Sequence, residues 1–351
     1  VEDELMRAPL LAVFAGVLLL ANEARACTTF CFESQGTRVF GKNYDWNVED
    51  GLVVVNKRGV AKTAFTPESP ARWTSDYGSV TFNQYGREFP SGGINEKGLV
   101  VELMWLDETV YPEPDRRVAL PTLQWIQFQL DNSATVDDVI ASDAQVRISA
   151  ASARIHFLVA DAKGNIAAFE YINGRMVVHR GGDLPYPVLT NDMYQVSVTY
   201  ARNLDAAKPL TRSSLDRFVR AARGLAPAGP KQDAVDQAFT LLDDVAQPGY
   251  TQWSIVYDIG AKRAYFRTRT RRDVRFVDLN VLDFSCRTPV RIVDVNAPYK
   301  GDLSKRLANY SSDTNRKLVR AAFAETEFLR DTPPQQIEAL ASYPDATSCR
   351  P

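Results

Sequence analysis

Polar and apolar positions divide the chain into blocks of short strands and blocks of helices. After residue 26 the first block is extended. Residues 28–33 and 37–40 are runs rich in Thr, Phe and Val, joined by Ser34-Gln35-Gly36, which reads as a hairpin turn. Further strands are expected at 52–56, 79–84 and 99–106, with Gly92-Gly93 and Gly98 as breaks. Two helical stretches follow. Residues 120–130 carry Leu123, Ile126 and Leu130 at helical spacing, and Thr135-Val136-Asp137-Asp138 has the form of a capping box.

A second strand block covers 154–160, 166–172 and 175–179, punctuated by Asp161-Ala162-Lys163-Gly164 and by the hairpin pair Asn173-Gly174. Helices are expected at 214–222 and 234–242. A hairpin comes next, from 254–257 and 263–267, followed by a helical tail over 303–340 broken at Pro333-Pro334. This order is not the regular βαβ alternation of a doubly wound fold. It predicts an α+β architecture, with sheets stacked on each other and helices outside. No repeat, low-complexity linker or boundary divides residues 27–351, which are expected to form a single domain.

The first 26 residues stand apart. Arg7, the unbroken apolar run of 14 residues from Ala8 to Ala21, and Ala24-Arg25-Ala26 are the three parts of a secretory signal. The run is short of the ~20 residues a membrane span needs. Residues 1–26 are therefore expected to be a removed signal peptide. The product is expected to be exported, periplasmic or secreted, and not stably inserted in a membrane. The chain has 41 bases and 43 acids. Removal takes away Arg7 and Arg25 with Glu2, Asp3, Glu4 and Glu23, which leaves a formally neutral product. That balance gives no reason to expect nucleic acid or an anionic membrane as partner.

Export makes a disulfide chemically feasible. Of Cys27, Cys31, Cys286 and Cys349, the last two share the C-terminal region and are the expected pair, although spacing alone cannot fix connectivity. Cys31 reads as a small buried hydrophobe. The two histidines, His156 and His179, lie in or at the end of strand-like runs, with no cysteine or second histidine at ligand spacing. They read as structural, so neither a metal site nor a histidine-based triad is expected, and no cofactor is implied.

Cys27 directly follows the small-x-small site. As a new N-terminus it would combine a thiol with a free α-amine, whose ordinary pKa of ~7.7–8.0 lets a fraction act as base near neutrality. Nucleophile and base then sit on one residue, and no histidine is needed. Two other readings stay open here: an ordinary buried cysteine, or the lipidated cysteine of an anchored binding protein. Downstream, Phe40-Gly41-Lys42-Asn43-Tyr44-Asp45-Trp46 places a cation and a carboxylate where the hairpin returns towards Cys27. A carboxylate there would hold the amine, and a cation would favour thiolate.

Five stretches, read in order, resemble the choloylglycine hydrolase family, which includes conjugated bile salt hydrolases and penicillin V acylases. They are Cys27-Thr28-Thr29-Phe30, Gly41-Lys42-Asn43-Tyr44-Asp45-Trp46, Gly93-Ile94-Asn95-Glu96-Lys97-Gly98-Leu99, Val188-Leu189-Thr190-Asn191 and Asp216-Arg217-Phe218-Val219-Arg220. The resemblance implies an N-terminal nucleophile hydrolase fold, a four-layer αββα sandwich of two stacked antiparallel sheets. It implies hydrolysis of linear amides of small N-acyl compounds, such as phenoxyacetyl penicillins or N-acyl homoserine lactones. Conjugated bile salt hydrolysis, acyl transfer and acid-ceramidase-like cleavage stand as alternatives.

Residue by residue, the resemblance makes Cys27 the nucleophile and Asp45 the partner of its amine. Asn191 becomes an oxyanion donor and Arg217 a support for the charged cluster. Read bare, Asn191 is a turn residue and Arg217 a helix-surface charge. Lys42 stands where arginine is common, which keeps the charge and loses the planar fork. Trp105 occupies a position that is Asn in many bile salt hydrolases, and resembles the exported Gram-negative penicillin V acylase branch. Trp105 and Tyr44 are the expected substrate-binding residues. Asn191 and Arg217 are only 26 positions apart, where many family members carry a long tetramer-forming excursion, so a homo-oligomer is left open.

Overall fold

The computed structural model describes residues 27–226 and 232–349. The expected signal peptide lies outside the described residues. The chain opens with the expected hairpin. β1 (Thr28–Ser34) pairs antiparallel with β2 (Thr37–Asp45), from Ser34 opposite Thr37 to Thr28 opposite Asn43. Gln35 and Gly36 make the turn at φ of 53° and 78°, the left-handed region that a tight two-residue hairpin loop requires.

β2 runs further than its apolar signal. Gly41-Lys42-Asn43 has no strand-like pattern, yet it is sandwiched between β1 and the strand Thr251–Asp258, buried throughout. Gly41 is needed there, because a Cβ on it would lie 2.3 Å from the ring of Phe30.

This hairpin belongs to a seven-stranded sheet in the described residues. It is antiparallel except at the edge pair Arg275–Asp278 with Gly301–Asp302. A nine-stranded antiparallel sheet stacks on it. Strand alternation builds the layers. Along Val100–Trp105, Val100 and Met104 join the core between the sheets, while Val101 and Leu103 face the outer core under α1 (Thr122–Asn132) and α2 (Val136–Ser142). Along Leu52–Asn56, Val53 and Val55 face inward and Leu52 and Val54 face outward.

α3 (Tyr194–Asn203), α4 (Ser214–Gly224) and α5 (Ala234–Asp244) lie on the seven-stranded side, with α4 and α5 against β1 and β2. α6 (Ser312–Glu325) and α7 (Pro334–Ser342) pack together beside the nine-stranded sheet. The result is the expected αββα sandwich.

Two local expectations need correction, and one helix had none. Gly92-Gly93 does not break the sheet but forms part of the strand Gly92–Asn95. A Cβ there would lie 2.2 Å from the Glu102 carboxyl carbon or 2.5 Å from the Val80 carbonyl, so glycine admits close neighbours. α3 had no prior signal, because it buries only Tyr194, Ser197 and Val198. The tail is not helical from residue 303. Its helix starts at Ser312, where the Ser311 side chain accepts from Thr314 N, and Pro334 opens α7. The capping box at Thr135 and Asp138 forms as expected, and Cys286 and Cys349 are joined by a disulfide.

Candidate active site

Cys27 immediately precedes β1, and the hairpin register sets it opposite the end of β2. Its Sγ lies 3.9 Å from the Asp45 carbonyl oxygen. Asp45 is wholly buried. Its Oδ1 accepts from the Thr251 hydroxyl, and its Oδ2 has no hydrogen-bond partner among the described residues. Burial pushes this carboxyl up to about 6, and Arg217, the Thr251 hydroxyl and Lys42 limit the rise.

Burial also pushes the Cys27 thiol up, with Lys42 and Arg217 pulling it back. The thiol therefore rests protonated, and a base is needed to activate it. Cys31 is free and fully buried, its thiol pushed up to about 12 by burial, as its reading as a core residue requires.

Arg217 is not a surface charge. It is 1% exposed, reaching in from the first turn of α4. One guanidinium nitrogen donates to the Cys27 carbonyl and the Thr28 hydroxyl, both at 2.6 Å, and the other to Asn191 Oδ1 at 2.9 Å. That contact fixes the amide of Asn191. Its Nδ2 donates to the Trp105 carbonyl at 2.9 Å, which uses one of two protons. Ser214 Oγ accepts from Asn191 N at 2.8 Å and lies 3.1 Å from the Thr190 hydroxyl, so α4 holds the turn from two sides.

Lys42 is fully buried, donates to the Leu103 carbonyl, and lies 5.9 Å from the Tyr44 ring centroid. Five residues from four separate chain segments, Cys27, Lys42, Asp45, Asn191 and Arg217, thus converge. Thr251 and Ser214 were missed by sequence reasoning, since their partners are 206 and 23 positions away.

The two histidines meet at one buried carboxylate. Glu170 receives His156 Nδ1 at 3.3 Å, His179 Nε2 at 3.1 Å and Tyr194 N at 2.7 Å. His156 Nε2 lies 2.8 Å from the Thr190 carbonyl, directly behind Asn191. Burial opposes the charge on Glu170, but the histidine hydrogen bonds outweigh it and bring the carboxyl down to about 2.

With a folded pKa below the ordinary value, this group stabilises above about pH 4. That contribution is lost as pH falls towards 2. His156→Phe would leave the buried carboxylate short of a partner. It is expected to cost about 1–3 kcal/mol, read as a lower Tm by calorimetry at neutral pH. An unchanged Tm would mean that the cluster carries no stability.

Cys27 opens on a cavity whose near wall is Tyr44, Asp45, Trp46, Leu103 and Trp105. Tyr44 donates to Gln84 at 2.8 Å, and Trp105 spends its ring N–H on Asp107 at 2.6 Å, so both offer the cavity mainly ring surface.

Residues 27–229 match the linear amide C–N hydrolases of the choloylglycine hydrolase family, starting at Cys27 itself. The chain belongs to this family. Among curated proteins, it is 27% identical over 315 residues to a penicillin V acylase of Pectobacterium atrosepticum, covering 75% of this chain and 83% of that protein.

Among solved structures, the penicillin V acylase of Agrobacterium tumefaciens superposes with a TM-score of 0.71 at 27% identity, over 81% of this chain and 98% of that one. A variant of the Clostridium perfringens conjugated bile acid hydrolase gives 0.65 at 16% identity, over 77% and 97%, and shares the fold. As a choloylglycine hydrolase family member, the chain is an amidohydrolase of small linear amides. In the described residues no helix is long and apolar enough to cross a membrane.

Proposed function

We propose that residues 1–26 are removed during export, that residues 27–351 form the working domain, and that Cys27 then cleaves N-acyl amides whose acyl group is apolar or aromatic. One observation carries this reading: beside the Cys27 thiol lies a buried carboxylate, Asp45, with one oxygen unpartnered among the described residues. Cleavage after Ala26 would turn the backbone nitrogen of Cys27 into an amine that this oxygen can accept from. The Cys286–Cys349 disulfide supports an oxidising destination.

In the proposed reaction the free amine takes the thiol proton, and sulfur attacks the amide carbon. A C–S bond forms while the carbonyl electron pair moves onto oxygen. The second Nδ2 proton of Asn191 stabilises that oxyanion, and Lys42 favours the thiolate. Collapse of the adduct breaks the C–N bond, and the leaving amine takes the proton back. Water, deprotonated by the same amine, then hydrolyses the thioester to release the acid. Arg217 acts by holding the Cys27 carbonyl and the Asn191 amide in register. Tyr44 and Trp105 contact the acyl group.

Phenoxyacetyl penicillins and N-acyl homoserine lactones fit the aromatic wall, and the similarity at 27% identity is to penicillin V acylases. The test is a panel of such amides and conjugated bile acids offered to protein beginning at Cys27. Acid and amine should appear in equal amounts, with an acyl adduct on Cys27 in quenched samples. A panel hydrolysed no faster than in buffer would sink the reading. Acyl groups passed chiefly to an added amine would make the protein a transferase.

A further inference from the structure

The family match ends at residue 229, yet the cavity above Cys27 does not end there. Its outer wall comes from α6, α7 and the single turn between them, through Phe323, Phe328, Leu329, Thr332, Gln336 and Leu340. We propose that this C-terminal helical pair is the gauge of acyl size, with Phe328 as the residue that sets how long an acyl group the site accepts. The proposal rests on the amidase reading above and deepens it.

Phe328 is only partly buried, and it packs on the small cluster of Val319, Phe323, Leu329 and Ala341 that joins α6 to α7. Its ring stands edge-on to Trp46, with centroids 6.1 Å apart at 81°, and 6.5 Å from Trp105 at 55°. Those two tryptophans end the strand segments that flank the nucleophile: Trp46 follows Asp45, and the Trp105 carbonyl holds Asn191. An acyl group bound at Cys27 and lying along these two tryptophans reaches Phe328, the ring that packs against both. Its apolar ring offers dispersion contact and no hydrogen bond, which suits alkyl or aryl chains.

The wall is fastened to the catalytic end of the site rather than merely leaning on it. Trp46 Nε1 donates to the Tyr85 hydroxyl at 2.9 Å, and that hydroxyl lies 3.1 Å from the Thr326 hydroxyl at the end of α6. Asn315 accepts from Arg87 N at 2.8 Å and donates to the Ala341 carbonyl at 2.7 Å, which ties α6 to both the Tyr85 loop and α7. Beyond α7, Cys349 is bonded to Cys286, and its strand pairs with Val60–Thr63. A boundary held this way keeps its position while substrates differ, as a gauge must.

The experiment uses one amine acylated with a homologous series of straight chains, and measures kcat and KM for the wild type, Phe328→Ala, Phe328→Leu and Phe328→Trp. The smaller side chains are expected to move the optimum to longer chains. Each methylene newly accommodated should raise kcat/KM about fourfold, mostly through KM. Phe328→Trp should shift the optimum the other way, so that the order of preference across the series differs in each variant.

A parallel arm titrates the free carboxylic acids into Cys27→Ala protein, with and without Phe328→Leu, and follows tryptophan fluorescence. This arm reads the gauge even if no amide is turned over, so the amidase reading can fail alone. An unchanged order of preference in both arms overturns the proposal. So does an equal loss across the whole series, which would mark Phe328 as a structural prop only.

Discussion

Replacing Cys27 with alanine is expected to lower kcat by a factor on the order of 10⁴–10⁶, as removal of a nucleophile typically does, with the fold intact. The thiol rests protonated because burial raises it, so its role is to become a thiolate only when a base is at hand. Its Sγ makes one long contact to the Asp45 carbonyl, and alanine keeps an apolar side chain in the buried cluster to which Cys27 belongs.

Cys27→Ser keeps the amine and supplies a poorer nucleophile, so a residual rate above that of Cys27→Ala is expected. Steady-state turnover of the best amide in the panel, with Tm as control, decides the matter. Full turnover by the alanine variant would falsify the role of Cys27, and a collapsed Tm would show that the loss is structural.

A chain that keeps Ala26 is expected to lose activity by about 10²–10⁴, the usual worth of a positioned acid–base group, because an amide nitrogen cannot take the thiol proton. Asp45→Asn should fall in the same range by leaving the amine unanchored. The two lesions share one mechanism, so combining them should cost little more than either alone.

The pH dependence separates the forms. In the chain as described, Asp45 titrates at about 6, above its unfolded value. The folded state then binds the extra proton. The stability from this group is complete below about pH 4 and is lost as pH rises through 6. A freed ammonium beside Oδ2 lowers that pKa and removes the loss. Protein starting at Cys27 should therefore gain stability over the extended chain between about pH 5 and 7, as seen in paired denaturant titrations. Identical profiles, with full activity in the extended chain, would rule out the amine as the base.

Much of this site's geometry is legible in the sequence. Asp45 and Lys42 could be brought to Cys27 because a two-residue turn at Gln35-Gly36 fixes a hairpin register, and register is a local property. Leu52–Asn56 is legible as a strand, but its faces are not, because its apolar run is buried on both sides. Asn191 and Arg217 were found only through the family resemblance. Bare residue type had placed Arg217 on a surface, and its burial depends on α4 packing over β1.

The sequence by itself determined the elements that near neighbours can dictate: turns, caps, most strand and helix positions, the hairpin that meets Cys27, and the signal-like segment before it. Tertiary structure decided everything that depends on what a side chain finds across the molecule. Thr251 reaches Asp45 across 206 positions, and Arg217 reaches Cys27 across 190. Two histidines, each unremarkable in its own strand, share one buried glutamate. The last helices, outside the family match, line the cavity on which Cys27 opens. Turn and cap geometry is set by residues a few positions apart. Charge, burial and cavity shape are set by packing, which places together segments whose spacing in the chain carries no sign of their meeting.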